Sequence, residues 1–181
     1  MQTKTLTPEL IMFKTKTNQL DRIRNLNLCA NDLADISIVS QMSALEVLSV
    51  SVNSISTLKD IGQCPSLKEL YIRRNCVESL EEIEHLVPLS NLKIIWLAEN
   101  PVATLPGYRE AVIKMLPQLE KLDNVEVTIE ERQAIESSDG SKEMQLQRDD
   151  RQIAEKNSFA AAAIKRQAPQ EFSTSPQQSA E

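Results

Sequence analysis

The chain has 181 residues, a formal net charge of −6 at pH 7 and a sequence pI near 5.0. Because affinity for nucleic acid depends largely on a basic surface, this acidic balance argues against direct binding of DNA or RNA. Aromatic residues make up only 3% of the chain, while leucine and isoleucine are abundant, so we expect a core of small, repeated aliphatic layers.

The first predicted element is a short capping helix. Thr7 is a candidate N-cap and Pro8 suits the first helical position. The apolar run from Leu10 to Phe13 spans only four residues, too few for a secretion signal or a membrane span. We therefore expect a soluble, cytoplasmic protein without membrane insertion. Three side chains of this segment are expected to cover the first repeat: Leu10, Phe13 and Thr17.

Four segments share one eleven-residue template, with apolar residues at positions 1, 4, 6 and 11 and asparagine at position 9. The segments are IRNLNLCANDL (23–33), LEVLSVSVNSI (45–55), LKELYIRRNCV (67–77) and LKIIWLAENPV (92–102). This pattern resembles the short version of the leucine-rich repeat, which has about 22 residues. After each asparagine, a second apolar series with a spacing of three predicts a 3₁₀ or short helical return.

The predicted fold is therefore an α/β solenoid. Template positions 4 and 6 point inward from short parallel strands, which form a concave sheet, and the helical returns line the convex side. At the turn after each strand, an asparagine amide can satisfy backbone groups that a tight bend leaves unpaired. We expect these asparagines to form a buried ladder: Asn31, Asn53, Asn75 and Asn100.

The stretch YREAVIKMLPQLEKLDN (108–124) resembles the C-terminal cap that ends this class of repeats. Thr128 can then cap a further short helix within 127–137. The resemblance implies packing within the cap, rather than ligand contacts, for six residues: Tyr108, Arg109, Leu116, Leu119, Leu122 and Asp123.

We expect the capped repeat domain to occupy residues 1–138. The stretch SSDGSK that follows is typical of a linker. Residues 143–167 favour a helix with a poor apolar stripe, which could order on binding or on self-association as a coiled coil. Residues 169–181 are rich in proline, serine and glutamine and are expected to be disordered.

Catalysis has little support in the sequence. Three scattered glycines exclude phosphate-binding loops, and His85 is the lone histidine. Three cysteines without a C-x-x-C pair are expected to be reduced thiols: Cys29, Cys64 and Cys76. We therefore predict a non-enzymatic binding module with no catalytic residue, cofactor or metal.

Solenoids bind partners with the surface of their parallel strands. Template positions 3, 5, 7 and 8 point outward, so we expect Trp96 to lie beside Tyr71 on the concave face. Trp, Tyr and Arg often dominate interface energy. Alternatively, Trp96 only packs on Tyr71 and Ile94 and shields the sheet edge. The candidate protein-binding residues are Trp96, Tyr71, Arg73, Arg74, Glu69, Ile94 and Glu99.

The stretches SVNSIST and WLAENP, followed by the cap and LDNVEVTIEER, together resemble the family of cilia- and flagella-associated leucine-rich-repeat proteins numbered 410. The resemblance covers about residues 5–136. It implies a role in cilium formation, a location at the ciliary base, basal body, centrosome or cytoskeleton, and a NIMA-related protein kinase as partner. Family members commonly end in a helical oligomerisation module, but this chain ends in a polar segment, which leaves its oligomeric state open.

Two other functions remain open at the level of sequence. Short leucine-rich repeats of this type occur in a spliceosomal protein, which suggests an adaptor subunit of a nuclear ribonucleoprotein. A phosphatase regulatory scaffold is the third possibility. For the ribonucleoprotein alternative, the acidic charge argues against direct contact with RNA.

Overall fold

The computed structural model describes residues 4–137. Short strands alternate with short helices along the chain, and 3₁₀ turns lie at Leu20–Arg22, Ser37–Gln41, Ile61–Gln63 and Pro101–Thr104. In chain order, the strands and helices are β1 (Lys4–Thr5), α1 (Pro8–Thr15), β2 (Asn25–Asn27), β3 (Leu33–Asp35), β4 (Val47–Ser49), β5 (Glu69–Tyr71), α2 (Glu81–Glu84), β6 (Ile94–Trp96), α3 (Tyr108–Met115), β7 (Lys121–Leu122), β8 (Val125–Glu126) and α4 (129–137).

The main sheet confirms the predicted solenoid. Its six strands follow the order β2-β4-β5-β6-β7-β8, and the first five are parallel. Each template repeat contributes one three-residue strand, and the C-terminal cap adds β7 and the antiparallel β8. Equivalent template positions pair in register, so that Leu48 lies between Leu26 and Leu70.

The core lies between this sheet and the convex returns. The inward template residues are buried in every repeat, and the apolar residues of the returns pack against them from behind. The returns are short 3₁₀ turns in the first two repeats and the four-residue helix α2 in the third. Each layer thus buries a few aliphatic side chains against its neighbours, which explains how a chain with so few aromatic residues fills its core.

The asparagine ladder is present, but only half of it is buried. Asn100 is 1% exposed and Asn75 is 7% exposed, whereas Asn31 and Asn53 are half-buried. The expectation of a fully buried ladder was therefore wrong for the first two repeats. Each later asparagine reaches backward to the preceding repeat, as Asn53 does when its Oδ1 accepts the Leu33 N–H at 2.9 Å. Asn31 has no repeat before it, and its side chain bonds locally, to the Cys29 carbonyl at 2.8 Å, while its backbone N–H donates to Asn53 Oδ1 at 3.2 Å.

Replacing Asn75 with Ala is expected to lower the free energy of unfolding by roughly 1–3 kcal/mol, because buried backbone groups lose their partners. Asn75 Oδ1 accepts the Ile55 N–H at 3.0 Å, and Nδ2 donates to the Val50 and Ile72 carbonyls, each at 3.0 Å. Ser54→Ala, in the exposed turn alongside, is the control. Equal losses for both variants in chemical denaturation would disprove the structural role of the ladder.

The N-terminal cap begins as predicted. Thr7 Oγ1 accepts the Leu10 N–H at 3.4 Å, and Pro8 is the first helical residue. Leu6, before the N-cap, and Ile11 are 2% and 0% exposed, the positions of a hydrophobic staple. Strand β1 pairs with β3 in a separate two-stranded parallel sheet, which the sequence did not indicate.

The prediction that Leu10, Phe13 and Thr17 cover the first repeat was wrong in part. Leu10 is half-buried, but Phe13 is 68% exposed. Because the staple turns Ile11 toward the core, Phe13, two residues later, lies on the opposite side of the helix. Helix α1 ends at Thr15 and Lys16 is left-handed, so the helical stripe does not reach Thr17.

The C-terminal cap closes the other end of the core. Helix α3 buries Val112 and Ile113, and the next strand and turn bury the predicted cap residues Leu116, Leu119 and Leu122. Asp123 Oδ1 accepts the N–H groups of Leu97 and Ala98, at 2.6 and 2.7 Å. These bonds satisfy backbone donors at the end of the last template strand, β6, as an asparagine does in the preceding repeats.

Two further cap residues hold this end of the chain together. Tyr108 donates its hydroxyl hydrogen to Asp123 Oδ2 at 2.9 Å, and burial together with the neighbouring Asp123 charge raises the pKa of the phenol. Arg109 makes a two-point ion pair with Glu131 of α4, at 2.6 and 2.8 Å, and also donates to the Leu122 and Glu126 carbonyls. The hydrogen bonds from Arg109 hold the pKa of Glu131 below its usual value.

Contacts divide the chain into two units, Met1–Ile135 and Glu136–Glu181. The first contains all the repeats and both caps. All but the first two residues of the second lie outside the described range. The predicted linker after its first residue, Ser137, the helix predicted at 143–167 and the polar tail also lie outside it.

Candidate functional site on the concave face

The concave face carries an aromatic pair at its centre. Leu70 and Ile95 are buried, so their neighbours Tyr71 and Trp96 turn outward, and both are half-buried. Tyr71 pairs with Trp96 in the register of β5 and β6. The two ring centroids are 6.2 Å apart with an interplanar angle of 68°, an edge-to-face contact.

Arg73 adds a cation to this pair. Its guanidinium carbon lies 5.6 Å from the centroid of the Trp96 ring, within the range of a cation–π contact. Glu99 fixes the guanidinium, since Arg73 Nε donates to Glu99 Oε1 at 2.9 Å and the second guanidinium nitrogen bonds the same oxygen. The indole thus lies between the Tyr71 ring and the Arg73 guanidinium, which Glu99 positions.

Tyr71 is fixed from within its own strand. Its hydroxyl donates to Glu69 Oε2 at 2.7 Å, and this bond, followed by partial burial, raises the pKa of the phenol. The neutral, hydrogen-bonded phenol is therefore favoured, and the bond to Glu69 fixes the position of the Tyr71 ring beside Trp96. Glu69 itself is half-buried and lies opposite Ile94, also half-buried, in the strand register.

Two hollows flank the indole. The first has a volume of about 300 Å³ and lies beside the turns, lined by Arg73, Arg74, Glu99 and Val52 among others. The second, of about 250 Å³, lies toward the C-terminal cap, between Tyr71, Ile94, Trp96, Lys121 and Asn124. All seven predicted binding residues therefore lie within one continuous region that centres on Trp96.

Template position 8 has a left-handed backbone in all four repeats. The φ angles of Ala30, Val52, Arg74 and Glu99 are 56°, 58°, 55° and 61°, although none of them is glycine. This conformation turns the chain sharply after each strand and places Arg74 and Glu99 at the rim of the first hollow. A β-branched residue such as Val52 adopts it only when the surrounding structure imposes it.

A larger hollow than these two lies elsewhere on the concave face, and the sequence did not predict it. It has a volume of about 790 Å³ and extends from the end of α1 to Tyr71. We call it the N-terminal hollow. Lys14, Thr15 and Thr17 form its cap side, and strands β2 and β4 form its floor. The repeat template could not reveal it, because the cap side comes from a segment outside the repeats.

The edge where the strands begin carries alternating charges. Glu46 lies between Arg24 and Lys68, at 2.9 and 2.8 Å, and Lys93 pairs with Glu120 at 3.1 Å. The hydrogen bond from Lys68 lowers the pKa of Glu46. These pairs are exposed, so they contribute little to stability and mainly neutralise the strand edge.

Within residues 4–137 we find no metal-ligand cluster, and the buried Cys64 is not an activated nucleophile. No group of three or more His, Cys, Asp and Glu side chains in that range could hold a metal ion. Burial raises the pKa of the Cys64 thiol to about 11, which makes it a poor nucleophile, and Cys64 Sγ donates to the Val39 carbonyl. The described helices are also too short or too polar to span a bilayer.

Comparison with known proteins identifies close sequence relatives. A family model described as leucine-rich repeat matches residues 10–154. Over 128 residues the chain is 46% identical to Cilia- and flagella-associated protein 410 of Mus musculus, a match that covers 70% of this chain and 51% of the mouse protein. The Homo sapiens protein of the same name is 47% identical over 128 residues, covering 70% and 50%. The chain thus spans about half the length of the curated relatives it matches.

Solved structures show a related fold. A chain in the crystal structure of the Drosophila melanogaster SNF/U2A' complex aligns with a TM-score of 0.57 and 26% sequence identity. The match covers 74% of this chain and 91% of that one.

Proposed function

The chain belongs to the leucine-rich-repeat family and is related to cilia- and flagella-associated proteins, and we propose that it is a non-enzymatic scaffold that binds a protein partner on its concave face. The observation that carries this proposal is the cluster of Tyr71, Trp96 and Arg73 at the centre of that face. We propose this cluster, with Arg74, Glu69, Ile94 and Glu99 around it, as the binding site.

The geometry of the cluster favours recognition over shielding. Trp96 is only half-buried although Tyr71 and Arg73 both contact it, and a hollow is open on each side of the indole. A partner side chain in either hollow would bury more of the ring. Rigid aromatic residues bordered by a fixed arginine give contact area at little cost in conformational entropy.

We further propose that the partner is a NIMA-related protein kinase or another protein of the ciliary base, and that the protein acts in cilium formation there. The support is the relationship to the cilia- and flagella-associated proteins. The match covers only about half of the length of those relatives. This part of the proposal therefore concerns functions carried by the matched half, which this chain would share.

A second candidate is the adaptor subunit of a nuclear ribonucleoprotein. The fold similarity to a chain of the SNF/U2A' complex, at 26% identity, favours it. The higher identity of 46–47% to the ciliary proteins favours the first candidate. A phosphatase regulatory scaffold has no specific support in the structure.

Affinity purification from ciliated cells separates these candidates. We expect the full-length chain to capture the kinase and ciliary-base proteins, and Trp96→Ala to lose them. Phe13→Ala is the matched control, because Phe13 is an exposed aromatic residue of the N-terminal cap that lines none of the concave hollows. Capture of a small nuclear ribonucleoprotein or a phosphatase catalytic subunit would select an alternative. Unchanged capture by Trp96→Ala would refute the concave site.

A further inference from the structure

The N-terminal hollow is lined by cations without balancing carboxylates. Lys14, Arg22 and Arg24 all border it, and no aspartate or glutamate does. Arg24 pairs with Glu46, a carboxylate that it shares with Lys68. Lys14 and Arg22 are exposed, and neither has an ion-pair partner among the described residues. Two uncompensated positive charges thus face the same hollow.

The floor of the hollow adds a hydrogen-bond donor. Asn27 Oδ1 accepts the Cys29 N–H at 3.1 Å, which leaves the NH₂ group of the exposed Asn27 side chain to donate to a ligand. Val47 and the Tyr71 ring supply the apolar part of the lining. The hollow therefore combines positive charge and a donor with one apolar wall, which is the complement of an acidic segment that carries an apolar residue.

The positive charge is local. The chain as a whole has a net charge of −6, but residues 4–24 contain five lysines and arginines and only two carboxylates. A nucleic acid would meet the acidic surface of the remaining chain, whereas a short peptide can contact the basic end alone. The local positive charge therefore favours a short acidic peptide over a nucleic acid as the ligand of this hollow.

We propose that the N-terminal hollow binds an acidic peptide segment of the protein partner, with Lys14 and Arg22 pairing its carboxylates and an apolar residue packing on Val47 and Tyr71. This inference rests on the proposed function, since it names the chemistry of the same partner. Tyr71 borders both the hollow and the Trp96 cluster. One partner chain can therefore occupy both, with its acidic part at the N-terminal cap and its anchor at Trp96.

A display library of short random peptides, selected on the full-length protein, tests this directly. We expect the selected peptides to be enriched in Asp and Glu. Lys14→Glu combined with Arg22→Glu should weaken their binding by roughly tenfold or more, because two ion pairs are replaced by repulsions. Raising the salt to about 1 M, where the Debye length is about 3 Å, should weaken the wild-type interaction as well. The control is Lys59→Glu, an exposed lysine on a convex return.

A charge swap completes the test. Peptides in which Lys replaces the acidic residues should bind the double variant and not the wild type, while both proteins melt alike. Selected peptides without acidic enrichment, or acidic peptides that bind the double variant like the wild type, would overturn the inference. If the peptides depend on Trp96 but not on Lys14 and Arg22, the inference fails and the proposed function stands. If no peptide is selected, or if the selected peptides depend on neither region, the inference fails, and affinity capture with Trp96→Ala decides the proposed function separately.

Discussion

A chain that ends before Tyr108 is expected to lose cooperative folding, whereas a chain that ends after Ser138 should melt like the full-length protein. The first cut removes α3 and β7, and with them the side chains of Val112, Leu116, Leu119 and Leu122 that are 0% exposed in the intact protein. The apolar end of the fourth repeat would then face water. An uncapped solenoid end of this kind aggregates or unfolds.

Truncation before Tyr108 also removes hydrogen bonds from the last template strand, β6. Strand β6 loses its pairing with β7, and the N–H groups of Leu97 and Ala98 lose Asp123 as their acceptor. Calorimetry of the two truncated chains checks the prediction. A cooperative transition for residues 1–107, with heat absorption appropriate to its size, would show that the assigned cap is not needed.

Leu97→Ala is expected to lower the free energy of unfolding by about 2–5 kcal/mol, as a cavity in a packed core does. Leu97 is 0% exposed, and its carbonyl accepts the Asn100 amide at 2.7 Å. Trp96→Ala, one residue earlier, should cost about 1 kcal/mol or less, because it loses only the edge contact with Tyr71 and the cation of Arg73. Urea denaturation of both variants provides the comparison. Equal losses would place the indole in the core and shift the strand register by one residue.

The repeats of this fold could be predicted from the sequence because one template position has one environment in each repeat. Leu26, Leu48, Leu70 and Ile95 occupy position 4 and pair in register, and all are buried. The outward position of Trp96 follows from the same alternation. The cap residues could be recognised because their spacing resembles a known cap and their apolar members had no other core to join.

Features that join separate segments could not be predicted. The contact of Arg73 with Glu99 depends on left-handed backbone at Glu99, a position where the sequence has no glycine to mark the turn. Gly62 gave no signal either. A Cβ atom at this position would clash with the His85 carbonyl oxygen of the next return, and only the structure brings these two residues together.

The N-terminal cap shows a second limit of sequence analysis. Helix α1 has eight residues, too few for its apolar spacing to define which face meets the core. Ile11 is buried, while Phe13 is exposed. The placement of Lys14 at the N-terminal hollow depends on that rotation and on where the helix ends. Such a site is built from the relative position of a cap and a sheet, which no local pattern contains.

The most direct test of the concave site is titration of the captured partner into full-length wild-type, Trp96→Ala and Phe13→Ala proteins by isothermal calorimetry. The structure predicts that Trp96→Ala weakens binding about 30-fold, equivalent to about 2 kcal/mol, as expected for an aromatic residue at the centre of an interface. Phe13→Ala should bind like the wild type, and all three proteins should have similar melting temperatures. An unchanged Kd for Trp96→Ala would contradict the account and would leave the aromatic pair as a shield for the sheet.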